Sequence, residues 1–376
     1  MTDRQTDRQT DRQTIICFQG LRALAFLGIF LSHTGVSALE FGGPWGVSTF
    51  FILSGFLMTL NYRNRQIEGN NPLKKGLILS WNKIGKLYQL HILTMITALP
   101  FGIKAICLKP LVLLSKILCN VFLVQSWVPR SSYYYSLNAV AWYLSVSAFL
   151  YFAFPWILKQ VKKQQTSVSI ILTIILIAGS QLLLDFLSSK TINNAFGSDG
   201  FTKWFVYVFP LSRCLEFSIG CNAAWLFIKR KHKVTTRCVN CLSGTVLIGV
   251  VTACFVFARY FPTDHAIERQ DIWWTYTCIF TPVNTGLIIA LAYQKGFLSL
   301  MLSNKWVVGL GNISSYAFLI HQLVIRYVRF AMNYFDFGKA FNNCILIVIS
   351  FVATLLLSML WKALVVEKGL IGKAMI

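Results

Sequence analysis

FQGLRALAFLGIFLSHTG, residues 18–35, is followed across a short loop by GGPWGVSTFFILSGF, residues 42–56. The first run is apolar except for two groups that do not belong in lipid, Arg22 and His33. An ionisable side chain inside a membrane segment is costly and marks a functional position by default. Eleven residues separate the two. At about 100° per residue that is three turns plus roughly 20°, so Arg22 and His33 share one helix face, about 16 Å apart along the axis. Working outward, the chain repeats this pattern of apolar runs carrying isolated polar groups.

The 376 residues are 56% hydrophobic and only 13% charged, with mean hydropathy +0.60. A water-soluble domain carries about 25% charge. Mostly apolar runs long enough to cross a bilayer recur throughout, so the expected fold is all-α, a polytopic transmembrane helix bundle. Ten spans are placed at 15–36, 45–62, 78–103, 138–158, 167–187, 202–228, 240–259, 273–293, 306–330 and 342–366. The apolar piece 111–127 follows Pro110, is interrupted by Lys116, and reads as re-entrant or interfacial. Val36-Ser37-Ala38 resembles a signal-peptidase site. Arg22 breaks the apolar core near one end, so the first span is expected to be retained.

The net charge of +22 could suggest nucleic acid. The Lys and Arg sit instead in short inter-helical loops, and no separate basic domain exists. With an inside N-terminus, 22 of the 35 lie on the inner side and 11 on the outer, and Arg22 and Arg213 fall within spans. That bias puts both termini in the cytoplasm. Arg22 is then near the cytoplasmic face and His33 in the outer half. The ten cysteines are scattered. The single C-x-x-C of Cys238 and Cys241 lacks the second pair a zinc site needs, so no metal site is expected.

Residues 2–14, TDRQTDRQTDRQT, form a perfect repeat and a polar, disordered tail. The membrane domain is taken as 15–376. ACA GAC AGA CAG encodes Thr-Asp-Arg-Gln and is one tetranucleotide, ACAG, read through three frames. A slipping tract of this kind would switch expression on and off, and mixed codons would exclude it.

Several polar groups could carry chemistry. A neutral imidazole at His33 can act as general base. Arg22 can hold a phosphate or carboxylate bidentately. Lys83 and Lys86, at i, i+3, are either positive-inside charges or phosphate contacts. Ser48, Ser54 and Gly55 permit close helix contact. His91 lies inside the third span, and Trp142, Tyr143, Tyr151, Ser145 and Ser147 populate the fourth. Arg213 and Glu216 form an i, i+3 ion pair that offsets the cost of both in lipid. In the ninth span, His321 follows Tyr316 and is a candidate shuttle or substrate contact.

Four blocks together resemble the acyltransferase-3 family of bacterial multi-pass membrane proteins. They are Arg22 with His33; Gly46, Val47, Phe50, Phe51, Ser54, Gly55 and Phe56; Arg213, Glu216, Phe217 and Gly220; and Ser315, Tyr316 and His321. The resemblance runs from about Gly20 to Trp361. It implies transfer of an acyl group, usually acetyl, from cytoplasmic acyl-CoA to a sugar hydroxyl of lipopolysaccharide or another surface glycan, free or lipid-linked, at the bacterial inner membrane. Acetyl-CoA is then a donor substrate, with no permanently bound cofactor. Membrane lipids surround the chain, and nucleic acid is not a partner. By analogy His33 is the catalytic group, and Arg22, Lys83 and Lys86 hold the donor. Arg213, Glu216, Tyr316, His321 and Ser54 contact substrate or support the site.

Two departures stand out. Many members carry Glu where this chain has Ser147, and Arg where it has Lys83 and Lys86. No appended esterase-like domain is expected from these residues. The alternative reading is a glycan or small-molecule transporter without covalent chemistry, although no paired internal repeat supports it. A protein or lipid acceptor is a third possibility, and the soluble-acyltransferase H-x-x-x-x-D pattern is absent because Ala38 stands five after His33.

Overall fold

The computed structural model describes residues 15–36, 42–65, 71–102, 109–187, 201–230, 235–249 without 245 and 248, 279–332, and 339–367. The repeat tail lies outside these residues, as does most of the predicted span 240–259 and the first part of 273–293. Among the described residues there is no strand. The principal helices are α1 (Cys17–Ser32), α2 (Gly42–Tyr62), α3 (Pro72–Ala98), α4 (Pro110–Val121), α5 (Trp142–Lys162), α6 (Ser167–Leu187), α7 (Pro210–Arg230), α8 (Phe280–Ala292), α9 (Phe297–Leu302), α10 (Lys305–Met332) and α11 (Lys339–Trp361).

Local chemistry sets several boundaries. Asn71, in the left-handed region at φ 62°, caps α3 by accepting from the Lys74 N–H at 3.1 Å, and Pro72 supplies the first turn. The third span therefore begins earlier than 78. Trp204–Val208 form a π-helical turn, and Pro210 then starts α7, so the predicted span 202–228 is two pieces. α1 ends at Ser32, and the His33 N–H closes its last turn on Phe30 O at 3.1 Å. Its sixteen residues rise about 24 Å.

Among the described residues, five helices are long and apolar enough to cross a membrane: Gly42–Tyr62, Ala139–Lys162, Ser167–Leu184, Lys305–Met332 and Asn342–Val365. α6 and α11 turn Leu172, Ile175, Leu176, Val352, Leu356 and Leu360 outward. Outward-facing apolar side chains at that density are what a lipid environment stabilises. α4, at twelve residues, exposes Leu111, Leu114 and Leu118. It is too short to span and fits the interfacial reading of 111–127. The chain is a multi-pass membrane protein.

α1 lies at the centre. Its C-terminal-half residues Ala25, Phe26, Ile29 and Phe30 join a core with α2, α5, α7 and α10. Its first turn, through Cys17, Phe18 and Leu21, joins a second core with α2, α7 and α8. α10 reaches α1 at Gly311, where an added Cβ would stand 1.9 Å from Gln19 O. That close crossing brings the polar groups of α1 and α10 to common levels.

Candidate active site

α1, α2, α3, α5 and α10 line a cleft open on one side, with ≈ 600 Å³ of space in it when its solvent-filled mouth is included. Its charged groups are Arg22 from α1 and Lys83 from α3, and its polar wall is Ser54, Tyr143, Ser147, Tyr151 and Ser315. The rest is apolar, including Phe50 and Phe318. Among the described residues no carboxylate pairs with Arg22. It shares the cleft wall with the Tyr143 phenol and the Ser54 and Ser147 hydroxyls. Lys83 also sits 5.6 Å from the Tyr62 ring centre. Two cations, several hydroxyls and an apolar wall suit a long ligand with anionic groups at one end.

His33 and His321 are brought together beyond this cleft. Their ring centres are 5.0 Å apart, and His321 Nε2 lies 3.4 Å from His33 Nδ1. The tautomers follow from the carbonyls. His33 Nδ1 is 2.7 Å from Ile29 O, and His321 Nδ1 is 2.8 Å from Phe318 O. A carbonyl only accepts, so each Nδ1 carries the proton and each Nε2 a lone pair. Among the described residues no hydrogen bond is formed at His33 Nε2. His321 is fully buried between Phe26, Phe30 and Phe318. Phe318 also packs on Phe50 and Tyr143, at 6.1 and 5.0 Å between centres. These rings form the partition between the cleft and the imidazoles.

The remaining sequence candidates fall elsewhere. Lys86 is exposed and does not line the cleft. Tyr316 packs against the core, and its neighbour Ser315 takes the cleft position. Arg213 and Glu216 are fully buried and ion-paired. Arg213 Nε donates to Tyr207 O at 2.7 Å, its guanidinium lies over Tyr207 and Phe51, and Thr281 donates to Glu216 at 3.1 Å. This pair ties α7 to α2 and α8 rather than facing the cleft. His91 Nε2 is bonded to Asn120 O at 3.0 Å, which anchors the connection after α4. Ser48 is buried.

Sequence named Tyr143, Ser147 and Tyr151 among five groups of the fourth span without separating them from Trp142 and Ser145, which do not line the cleft. Their i, i+4, i+8 spacing on α5 is the signal that could have found them. On the His33 side, Arg329 donates to Thr34 O at 3.1 Å and Arg326 to Leu137 O at 3.0 Å. Tyr135 stands nearby in the 122–141 connection. Burial raises its phenol pKa, against the pull of Arg213, so it stays neutral.

Comparison with known proteins gives a consistent result. A family profile described as an acyltransferase domain, Acyl_transf_3, matches residues 15–362. The chain is 25% identical over 329 residues to the acyltransferase MdmB of Streptomyces mycarofaciens, covering 82% of this chain and 78% of that one. It is 23% identical over 335 residues to the O-acetyltransferase OatA of Staphylococcus aureus, covering 82% of this chain and 50% of OatA. No solved structure matches. With the profile spanning nearly all of the described helices, the chain belongs to the acyltransferase-3 family of membrane acyltransferases.

Proposed function

We propose that this enzyme is an O-acetyltransferase of the bacterial inner membrane. It takes acetyl from acyl-CoA on the cytoplasmic side and gives it to a hydroxyl of lipopolysaccharide or a related surface glycan. The observation that carries this reading is one helix, α1, with a cationic cleft at Arg22 and a bare imidazole nitrogen at His33, about 16 Å apart. The similarity to OatA supports the acetyl group and the O-linked product.

Arg22 and Lys83 hold donor phosphates, and Lys86 offers a longer-range charge. The polar wall of Ser54, Tyr143 and Ser147 lines the path of the thioester arm. That arm displaces one ring of the Phe50, Tyr143 and Phe318 partition to reach His33. His33 Nε2 removes the hydroxyl proton as the oxygen attacks the acyl carbon. Ten crossings with both termini in the cytoplasm, as the loop charges indicate, place Arg22 on the donor side and His33 on the acceptor side. Slippage of an ACAG tract behind the Thr-Asp-Arg-Gln repeat would make surface acetylation phase-variable.

The test is His33→Ala with mass spectrometry of the surface glycan. The expected result is loss of about 42 Da per modified hydroxyl with the protein still in the membrane, as follows from removing a general base. Unchanged acetylation would exclude His33 as the base. Unchanged acetylation after full deletion of the gene would exclude the function.

A further inference from the structure

We infer that His321 is a positioning residue for His33, so that the base is a pair of imidazoles. The inference rests on the acyl-transfer reading for its consequence but on geometry for its substance. His33 Nδ1–H has three polar neighbours, Ile29 O at 2.7 Å and Ser32 Oγ at 3.3 Å from its own helix and His321 Nε2 at 3.4 Å from α10. Ile29 lies one turn back on the same helix and moves with His33. His321 belongs to α10, across a packed interface, and it fixes the imidazole relative to the rest of the bundle.

His321 is itself held. Its own Nδ1–H is committed to Phe318 O, its ring is enclosed by Phe26, Phe30 and Phe318, and none of it is exposed. A side chain so enclosed has one rotamer and one tautomer, and the tautomer presents a lone pair to His33. A nonpolar ring of the same size would pack here equally well. An imidazole is needed only if its Nε2 accepts.

The consequence appears during reaction. The acceptor oxygen forms a bond to the acyl carbon, and the carbon–sulfur bond of the thioester breaks. The hydroxyl proton goes to His33 Nε2 and then to the departing thiolate, which leaves as free thiol. While His33 carries that proton, its Nδ1–H donates from a cation, and a hydrogen bond from a charged donor is about twice as strong as a neutral one. His321 therefore helps most in the transition state, which raises turnover without tightening donor binding. The donor's phosphate contacts, Arg22 and Lys83, lie on the far side of the Phe318 partition and are left alone.

The experiment uses full-length protein in membrane vesicles carrying their own acceptor, with labelled acetyl-CoA. His321→Phe keeps volume and removes the acceptor. His321→Gln restores an oxygen acceptor. The phenylalanine variant is expected to lose about tenfold in kcat with KM for acetyl-CoA unchanged, tenfold being 1.4 kcal/mol and the worth of one hydrogen bond. The glutamine variant recovers most of it. Wild-type turnover in the phenylalanine variant, or a glutamine variant as slow as phenylalanine, overturns the inference.

A second measurement is independent of activity and of variant folding. The chain has only five histidines. Nitrogen-15 NMR of the purified wild-type protein, with His33 identified by its loss in His33→Ala, should show a slowly exchanging Nδ1–H. A proton on Nε2 of His33, or on Nε2 of His321, overturns the pairing. If vesicles transfer no label even with wild type, the acyl-transfer reading fails while the NMR result still decides the contact.

Discussion

Gly55→Ala adds one methyl at the crossing of α2 and α7, and the cost can be worked from the backbone. A Cβ at Gly55 would stand 2.1 Å from Phe217 O and 3.1 Å from Cys221 N. Ordinary contact begins near 3.4 Å, so the helices must separate by about 1.3 Å at this point. The obstructing atoms are backbone, so no rotamer change relieves the clash. Gly220 meets α2 in the same way, its Cβ position lying 2.0 Å from Ile52 O. Separation also pulls Phe51 from under the Arg213 guanidinium and shifts Ser54 on the cleft wall. Overpacking of a close contact costs about 1–3 kcal/mol, and membrane helices depend on such contacts. Gly179→Ala and Gly309→Ala are the controls, since nothing lies within 4 Å of either new methyl. Those changes should stabilise by up to about 1 kcal/mol through helix propensity. The assay is thermal unfolding of purified protein in detergent, followed by loss of the folded peak on size exclusion. The reasoning fails if Gly55→Ala unfolds at or above the wild-type temperature alongside the two controls.

Two further outcomes are expected. Glu216→Ala leaves the fully buried Arg213 without its carboxylate and should cost about 3–5 kcal/mol, whereas Arg213→Met with Glu216→Leu recovers most of it; a single variant as stable as the double would refute this. Lys83→Ala should raise KM for acetyl-CoA roughly threefold to tenfold, a half-solvated charge-assisted contact, while Lys86→Ala, outside the cleft, changes it less than twofold. Equal effects of the two lysines, measured by initial rates in vesicles, would remove Lys83 from the donor site.

The all-helical membrane class was legible because lipid leaves few alternatives for an apolar chain. The shared face of Arg22 and His33 was legible too, because period 3.6 is a local property. What lay beyond reach was distance in the chain. Nothing in sequence says that His321 approaches His33 across 288 positions, or that Phe318 stands between them and the cleft. Helix boundaries failed for local reasons. Pro210 splits the predicted sixth span after a π-helical turn, and the Asn71 cap with Pro72 starts α3 before its apolar run. Lys83 and Lys86 looked equivalent at i, i+3, yet the cleft takes only the first.

The departure at Ser147 gains meaning from its place. It faces the cleft with Arg22 and Tyr143, so a carboxylate there would sit beside the one α1 cation. Serine leaves the Arg22 charge uncompensated by that position, and so available to an anionic ligand, and its buried hydroxyl forms no hydrogen bond to a described residue. Among the described residues the buried carboxylate, Glu216, is already committed to Arg213 and Thr281. On the proposed reading, proton transfer is assigned to the His33 imidazole rather than to Glu216. That is why the α1–α10 packing that holds His321 against His33 matters as much to the proposed chemistry as His33 itself.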